Sequence, residues 1–193
     1  RCRFNSSCNG LRMIMPSEDV RISGCTFIGP GRSPHRTTSD KGGDMLHAMI
    51  FEPGGWGDAP DTLSGICVKN CVADSVLSPF CMTLQDDNHC TDVTIDAYRA
   101  TNCRMALSVK SWGSASADKV TISNSAFSFI GIPEPGLGRK IASMPFDRWP
   151  YFPSYGAYFR NVAEVVLDDV TFSTIGPDDR DDICTDNVTR LKR

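Results

Sequence analysis

The sequence lacks several features that would assign a function class at once. It has no apolar run near the roughly 20 residues that a transmembrane helix needs. Its formal net charge is only −3, so we expect neither a nucleic-acid partner nor a membrane partner. Histidine occurs only three times, and no His or Cys cluster has the spacing of a zinc site. We therefore expect no metal and no cofactor.

The sequence instead contains a short β-rich phrase that returns in register. The segment centred on Ile95 in residues 93–100 has the same pattern as the segment centred on Ile122 in residues 120–127. The same phrase recurs around three further apolar residues, Ile22, Val68 and Leu167. Apolar and polar residues alternate within each copy, as in a half-buried strand. The central isoleucines Ile95 and Ile122 are 27 positions apart (122 − 95 = 27). A short segment that returns at a fixed period predicts a unit that stacks on copies of itself.

Aligning the copies predicts inward columns and a turn. The central column is Ile22, Val68, Ile95, Ile122 and Leu167, and five residues later stand Phe27, Ala73, Ala100, Phe127 and Phe172. Two residues after the centre stand Gly24, Asn70, Ala97, Asn124 and Asp169. Asn and Gly favour sharp turns because they tolerate a left-handed backbone. We expect a turn at this position in every repeat, with stacked Asn side chains bonding one another from repeat to repeat.

A second strand completes each repeat. Its copies are Met49–Glu52, Met82–Gln85, Leu107–Lys110 and Ala157–Arg160, with residues 11–14 as a weaker candidate. With alternate residues inward, one outward column is expected to read Glu52, Gln85, Lys110 and Arg160. The next position along the strand reads Pro53, Asp86, Ser111 and Asn161. Neighbouring strands lie about 4.8 Å apart, so this alignment brings Glu52 and Asp86 to carboxylate-pair distance.

These registered repeats resemble the right-handed parallel β-helix family, including pectate-lyase-like and polygalacturonase-like solenoids and phage tailspike-type proteins. The resemblance covers roughly residues 11–176 of a single domain, 1–193, with 177–193 as a C-terminal tail. It implies an all-β right-handed parallel β-helix of about five to six turns with long loop insertions. Of the polygalacturonase-like motifs, the chain offers Asp86-Asp87 and the partial match Val109-Lys110. A β-sandwich with regularly spaced strands is the alternative fold.

The loops suggest where a ligand would bind. The chain inserts long loops between Phe27 and Met49 and between Phe127 and Ala157, and the two intervening repeats have short turns. Insertions on one side of a repeat protein commonly mark its binding face. We expect the aromatic residues of the second insertion, Trp149 and Phe152 among them, to pin that loop onto the repeats.

A groove at this place would suit a polysaccharide. Glu52 and Asp86, with Asp87 as substitute, are the candidate acid and base for glycoside hydrolysis or elimination. The candidate substrate-binding residues are Gln85, His89, Lys110 and Arg160, with Trp56 and Trp112 as stacking platforms for sugar rings. The opposing view is a solvated surface on which opposite charges simply pair.

The remaining features concern location and partners. Nine cysteines are present; we expect Cys25 and Cys71 to form a buried thiol stack. Six others, Cys2, Cys8, Cys81, Cys90, Cys103 and Cys184, are candidates for disulfides. Two glycosylation-type triplets, at Asn5 and Asn187, favour an extracellular or virion-surface location. The acidic run 178–182 is a possible calcium ligand set, but its spacing is that of no EF-hand, and a solvated turn is expected.

The sequence therefore predicts a polysaccharide-degrading enzyme, either a glycoside hydrolase or a lyase. A glycan-binding spike or adhesin that does not cleave is one alternative, and a sugar epimerase or transferase on the same scaffold is another. No capping helix is visible before the first repeat, so we expect a fragment, a homo-oligomer, or a partner chain that covers the ends.

Overall fold

The computed structural model describes residues 1–34, 43–53, 62–145 and 148–193, and strands make up most of them. The strands are β1 Arg3–Phe4, β2 Asn9–Met13, β3 Ser17–Glu18, β4 Arg21–Ser23, β5 Thr26–Ile28, β6 His47–Phe51, β7 Thr62–Ser64, β8 Ile66–Lys69, β9 Val72–Asp74, β10 Cys81–Leu84, β11 His89–Asp96, β12 Arg99–Cys103, β13 Leu107–Ser111, β14 Ser116–Ile130, β15 Ser154–Ile175 and β16 Asp181–Lys192. One short helix, α1, spans Leu137–Ala142.

The strands form one sheet that is parallel throughout the described residues and nearly closed on itself. Each strand lies beside the equivalent strand of the neighbouring repeat: Val93 of β11 pairs with Ile66 of β8 on one side and with Val120 of β14 on the other. The prediction of an all-β fold is confirmed. The sequence repeat is therefore also the unit of strand pairing.

The predicted inward columns form the core. Ile22, Val68, Ile95, Ile122 and Leu167 pair in register and are all buried. The second column, Phe27, Ala73, Ala100, Phe127 and Phe172, is also in register. Burying a large apolar side chain stabilises a fold by about 1.5–3 kcal/mol, so these columns supply much of the driving force for stacking.

The predicted turn is present in every copy. Gly24, Asn70, Ala97, Asn124 and Asp169 all have a positive φ, between 49° and 62°. Asn124 also donates from Nδ2 to Asp96 Oδ1 of the preceding repeat at 2.8 Å. The contact crosses between repeats, but its partner is an aspartate rather than a stacked asparagine. Ala97 adopts the same conformation without a side chain that favours it.

The register of one strand differs from the prediction. Met82 pairs with Phe51 and Val109, two residues away from the expected partnership with Met49. A slip of two residues keeps every side chain on the same face, because the side-chain period of a strand is two. The apolar pattern therefore cannot distinguish the two registers. The outward column built on Met82 is accordingly wrong at Gln85.

The described residues of the second insertion, 131–145 and 148–153, pack onto the outer face of β13 and β15. Helix α1 buries Leu137 and Ile141. The ring of Phe152 stacks on Tyr158 with centroids 5.1 Å apart, and Trp149 meets Tyr158 edge-on at 5.4 Å. The expectation that aromatic residues pin this loop is confirmed.

Both ends of the strand array extend beyond the predicted limits. Residues 177–193 are not a tail, because β16 pairs with β15 along most of its length; at the other end, β1 pairs with β5. The expected solvated acidic turn is also wrong. Asp178 and Arg180 form a buried ion pair, with side chains 0% and 2% exposed and an Oδ2–Nη2 distance of 2.6 Å.

All nine cysteines fall within the described residues, and all are free thiols. The disulfide expectation for the six candidate residues is therefore not met. Cys25 and Cys71 are both buried, as the predicted thiol stack requires. Burial raises the pKa of Cys71, and a hydrogen bond to the Cys25 backbone partly offsets this rise.

Candidate functional site

The predicted carboxylate pair is not assembled. Because Phe51 pairs with Met82, the residue opposite Glu52 is Thr83. Asp86 lies three residues farther along, a displacement of about 10 Å at roughly 3.3 Å per residue. Glu52 instead forms an ion pair with Arg12 of the preceding repeat. Glu52 and Asp86 therefore do not form the acid and base of one site.

Asp86 and Asp87 lie together in an exposed turn after β10. Asp86 has a φ of 51°, a left-handed conformation that Asp tolerates. The hydroxyl of Ser114, in the turn of the next repeat, lies 2.9 Å from both the Asp86 carbonyl and Asp87 Oδ1. Gln85 is exposed in the same turn. The turns of two successive repeats are thus linked at this corner.

Lys110 and Arg160 are paired in register, as predicted. Lys110 Nζ lies 5.6 Å from the ring centre of Trp112 and 5.1 Å from that of Phe152. Arg160 forms an ion pair with Asp186 at 3.4 Å. The insertion covers this part of the sheet, so both cations make contacts within the protein. Trp56 lies outside the described residues.

His89 is held at both ring nitrogens. Nδ1 lies 3.1 Å from Ser116 Oγ on the neighbouring strand, and Nε2 lies 3.1 Å from Asp118 Oδ2. A carboxylate only accepts hydrogen bonds, so Nε2 carries the proton in the neutral ring. Nδ1 is then an acceptor, and the Ser116 hydroxyl donates to it. The side chain of His89 is 37% exposed, and that of Asp118 is 59% exposed.

The strand register explains this arrangement. His89 pairs with Ser116 in the β11–β14 ladder. Asp118 follows Ser116 by two residues, so both side chains point outward on the same face. The intervening residues, Cys90 and Ala117, point inward and are buried. The parallel ladder thus aligns a serine, a histidine and a carboxylate on one surface.

A surface cleft of about 310 Å³ lies beside this cluster. The described residues that line it are Gly113, Ser114, Ala115, Ser116, Ala117, Asp118, Asn161, Val162, Ala163, Asn187 and Thr189. It arises where the projecting turn 112–115 meets the tight corner at Asn161. Asn187 Nδ2 donates to Asn161 Oδ1 at 2.8 Å, and Asn161 Nδ2 donates to the Ser111 carbonyl at 2.9 Å. We call this space the corner cleft.

The thiol nearest the cluster is not a competing nucleophile. Burial raises the pKa of Cys90 to about 12, and the charge of Asp92 adds to this rise. Only the thiolate is strongly nucleophilic, so Cys90 stays inert near neutral pH. Ser116 is then the hydroxyl that His89 can activate.

The repeat length provides a signal for Ser116 and Asp118 in the sequence. Adding one repeat to His89 leads to Ser116, and strand alternation leads from there to Asp118. The structure places His89 at the first position of β11, inside the repeat register.

Comparisons with protein-family models, with curated proteins and with solved structures find no match. Among the described residues, no helix is long and apolar enough to cross a membrane. The same part of the chain holds no group of three His, Cys, Asp or Glu side chains arranged to bind a metal ion.

Proposed function

We propose that the chain is a right-handed parallel β-helix that binds a polysaccharide at the corner cleft and hydrolyses it there. The observation that carries this proposal is the His89 side chain, oriented by Asp118 and bonded to Ser116 at the edge of the cleft. The regular parallel pairing between neighbouring repeats and the long insertion support the β-helical architecture.

The lining of the corner cleft suits a sugar. Its side chains are small, and its polar members are hydroxyls, amides and a carboxylate. Such groups supply both donors and acceptors, as the adjacent hydroxyls of a sugar ring require. Trp112, the first residue of the turn that forms one wall, adds an aromatic ring of the kind that packs on the apolar face of a sugar.

His89 is the acid–base group of this proposal. A histidine whose second nitrogen is fixed by a carboxylate has a defined tautomer and orientation. If the glycosidic bond is the one cleaved, a pair of carboxyl groups must flank it. Asp118 lines the cleft, and Asp87 is bonded to the lining residue Ser114. These two carboxyl groups replace Glu52 and Asp86 as candidates for that role.

Glycan binding without cleavage is the second candidate function. The observation that favours it is the separation of Glu52 from Asp86, because the carboxylate pair expected for cleavage is not formed there. In this case the cleft binds a glycan and its side chains only orient the sugar.

A glycan-array screen followed by polysaccharide digestion, read by mass spectrometry, tests the proposal. The variant is His89→Gln, and the matched control is Asp168→Asn, an exposed outward residue of β15 that does not line the cleft. We expect the wild type and the control to bind and cleave the same glycan, and His89→Gln to bind it but cleave it about 10²–10⁴-fold more slowly. Binding without turnover in every protein supports the second candidate function. Absence of any glycan binding contradicts both.

A further inference from the structure

We infer that Ser116 is a nucleophile for acyl transfer and that the corner cleft removes short ester groups, such as acetyl groups, from a polysaccharide. This inference rests on the proposed function, because it names the bond that is cleaved in the glycan. Three side chains carry it: Ser116, with His89 at 3.1 Å and Asp118 at 3.1 Å from the opposite ring nitrogen.

The order of the contacts determines the chemistry. A serine hydroxyl is a weak nucleophile until an adjacent base takes its proton. Here the base is His89 Nδ1, and Asp118 holds the proton on Nε2. An imidazolium formed during the reaction is stabilised by the same carboxylate. Glycoside hydrolysis by two carboxyl groups has no use for a serine in this position, whereas a serine hydroxyl beside a histidine base is an arrangement that attacks carbonyl carbons.

The reaction balances with water as the second substrate. Ser116 Oγ attacks the ester carbonyl carbon while its proton passes to His89 Nδ1. The tetrahedral intermediate then breaks the bond between that carbon and the sugar oxygen, which leaves with the proton from Nδ1. Water attacks the acyl-Ser116, again giving a proton to Nδ1, and Ser116 recovers that proton as the acid departs. One ester and one water give one alcohol and one carboxylic acid.

The cleft also offers a donor for the developing oxyanion. Asn161 precedes Val162, the register partner of Ala117, so it stands beside Ser116 in the neighbouring repeat. One N–H of its amide donates to the Ser111 carbonyl. The second N–H is the candidate donor to the oxyanion, a type of interaction that contributes about 10²–10³-fold to kcat.

The lining sets the size of the acyl group. Gly113, Ala115 and Ala163 leave room close to the strand backbone, and the largest lining side chains are those of Asn, Asp and Val. Such a lining accommodates a sugar ring with an acetyl group. It provides no deep apolar channel for a long acyl chain.

The test combines a covalent probe with two substrates. The wild-type chain is treated with a fluorophosphonate and digested, and the modified peptide is located by mass spectrometry; p-nitrophenyl acetate and a chemically O-acetylated polysaccharide then serve as substrates. We expect a single adduct on Ser116 and release of acetate from both substrates. Ser116→Ala removes the adduct and the acetate release, and His89→Gln slows labelling about 10²–10⁴-fold. The matched control Ser128→Ala lies on the same strand but away from the cleft. It leaves both the labelling of Ser116 and the release of acetate unchanged.

Asp118 acts through His89, and its test needs its own readout. Asp118→Asn should lower kcat strongly, towards the roughly 10⁴-fold seen when an orienting carboxylate is lost from a triad, while KM and binding of the deacetylated glycan stay unchanged. A purely structural role would alter binding or unfolding instead.

The outcomes separate the two proposals. Acetate release without shortening of the polysaccharide supports the acyl-transfer inference and hydrolysis of the glycan at an ester bond, and it contradicts cleavage of the glycosidic bond by Asp87 and Asp118. Shortened chains with no acetate release and no adduct on Ser116 overturn the acyl-transfer inference and leave the proposed function standing. Glycan binding with neither reaction also overturns the inference. Ester cleavage of p-nitrophenyl acetate at Ser116 without binding of any glycan overturns the proposed function.

Discussion

Replacing Arg180 tests whether the buried ion pair holds the insertion against the strands. Asp178 accepts from Arg180 Nε at 2.9 Å and Nη2 at 2.6 Å, and from the backbone N–H of Ile132 at 3.0 Å. Arg180 Nη1 donates to the Phe152 carbonyl at 3.1 Å. The pair therefore connects both ends of the insertion to the segment before β16. Arg180→Met leaves a buried carboxylate without its partner, and we expect a loss of about 3–5 kcal/mol in the free energy of unfolding.

The pH dependence of this loss follows from the pKa of Asp178. Burial raises that pKa, but the hydrogen bonds from Arg180 and from the backbone N–H groups outweigh burial, so it lies below the ordinary value of 3.8. A carboxyl group whose folded pKa is depressed stabilises the fold above its unfolded pKa. That stabilisation disappears as the pH falls through the folded pKa. In Arg180→Met the buried carboxyl group takes up a proton more readily, so the difference between the variant and the wild type should shrink in acid.

Urea unfolding at pH 7 and at about pH 3, followed by circular dichroism, measures both effects. Arg190→Met on β16 is the control, because Arg190 is 65% exposed and pairs with Glu164 at 3.5 Å. An exposed pair of this kind contributes about 0.2–1 kcal/mol. If Arg180→Met costs no more than Arg190→Met at pH 7, or if its cost grows in acid, the reasoning is refuted.

Three further predictions concern the repeat core. Ala97→Asn should raise the free energy of unfolding by about 0.5–1 kcal/mol in urea titrations, because Asn tolerates a φ of 51° better than Ala; a loss of stability would contradict this. Tyr98→Phe should lower it by about 1–3 kcal/mol, since the buried Tyr98 hydroxyl donates to the Pro79 carbonyl at 2.9 Å; an unchanged midpoint would argue against that bond. Burial raises the pKa of Cys90 and Cys103 to about 12, so a thiol reagent at neutral pH should modify them only after unfolding, and rapid modification of the native chain would show that they are accessible.

Much of the strand pattern could be predicted from the sequence, because the repeats must share one alignment. The inward columns through Ile95 and Phe127 and the left-handed turn at Asn124 were all predicted in the correct register. Each depends on a periodic apolar or turn residue that recurs in every copy. Each column is therefore supported by several repeats, because a wrong alignment of one repeat would conflict with the others.

The candidate site was harder to predict from the sequence than the strands, for reasons that differ from residue to residue. The prediction that Glu52 and Asp86 form a pair was wrong, because a register shift of two residues at Met82 leaves the apolar pattern unchanged. Asp178 and Arg180 looked like a solvated acidic turn because sequence alone does not show which charges an insertion will bury. His89 was a predicted site residue, but its partners Ser116 and Asp118 are ordinary surface residue types until the strand register places them beside it.

The sequence by itself determined the all-β class, the repeat length, the core columns and the position of one turn. These properties follow from local periodicity and from the demand that each apolar face be buried. The tertiary structure decided the two-residue register of β10, the extension of the sheet through β16 and the convergence of His89, Ser116 and Asp118. These features depend on how turns of unequal length align neighbouring strands. The alternation of side chains within one strand gives no information about that alignment.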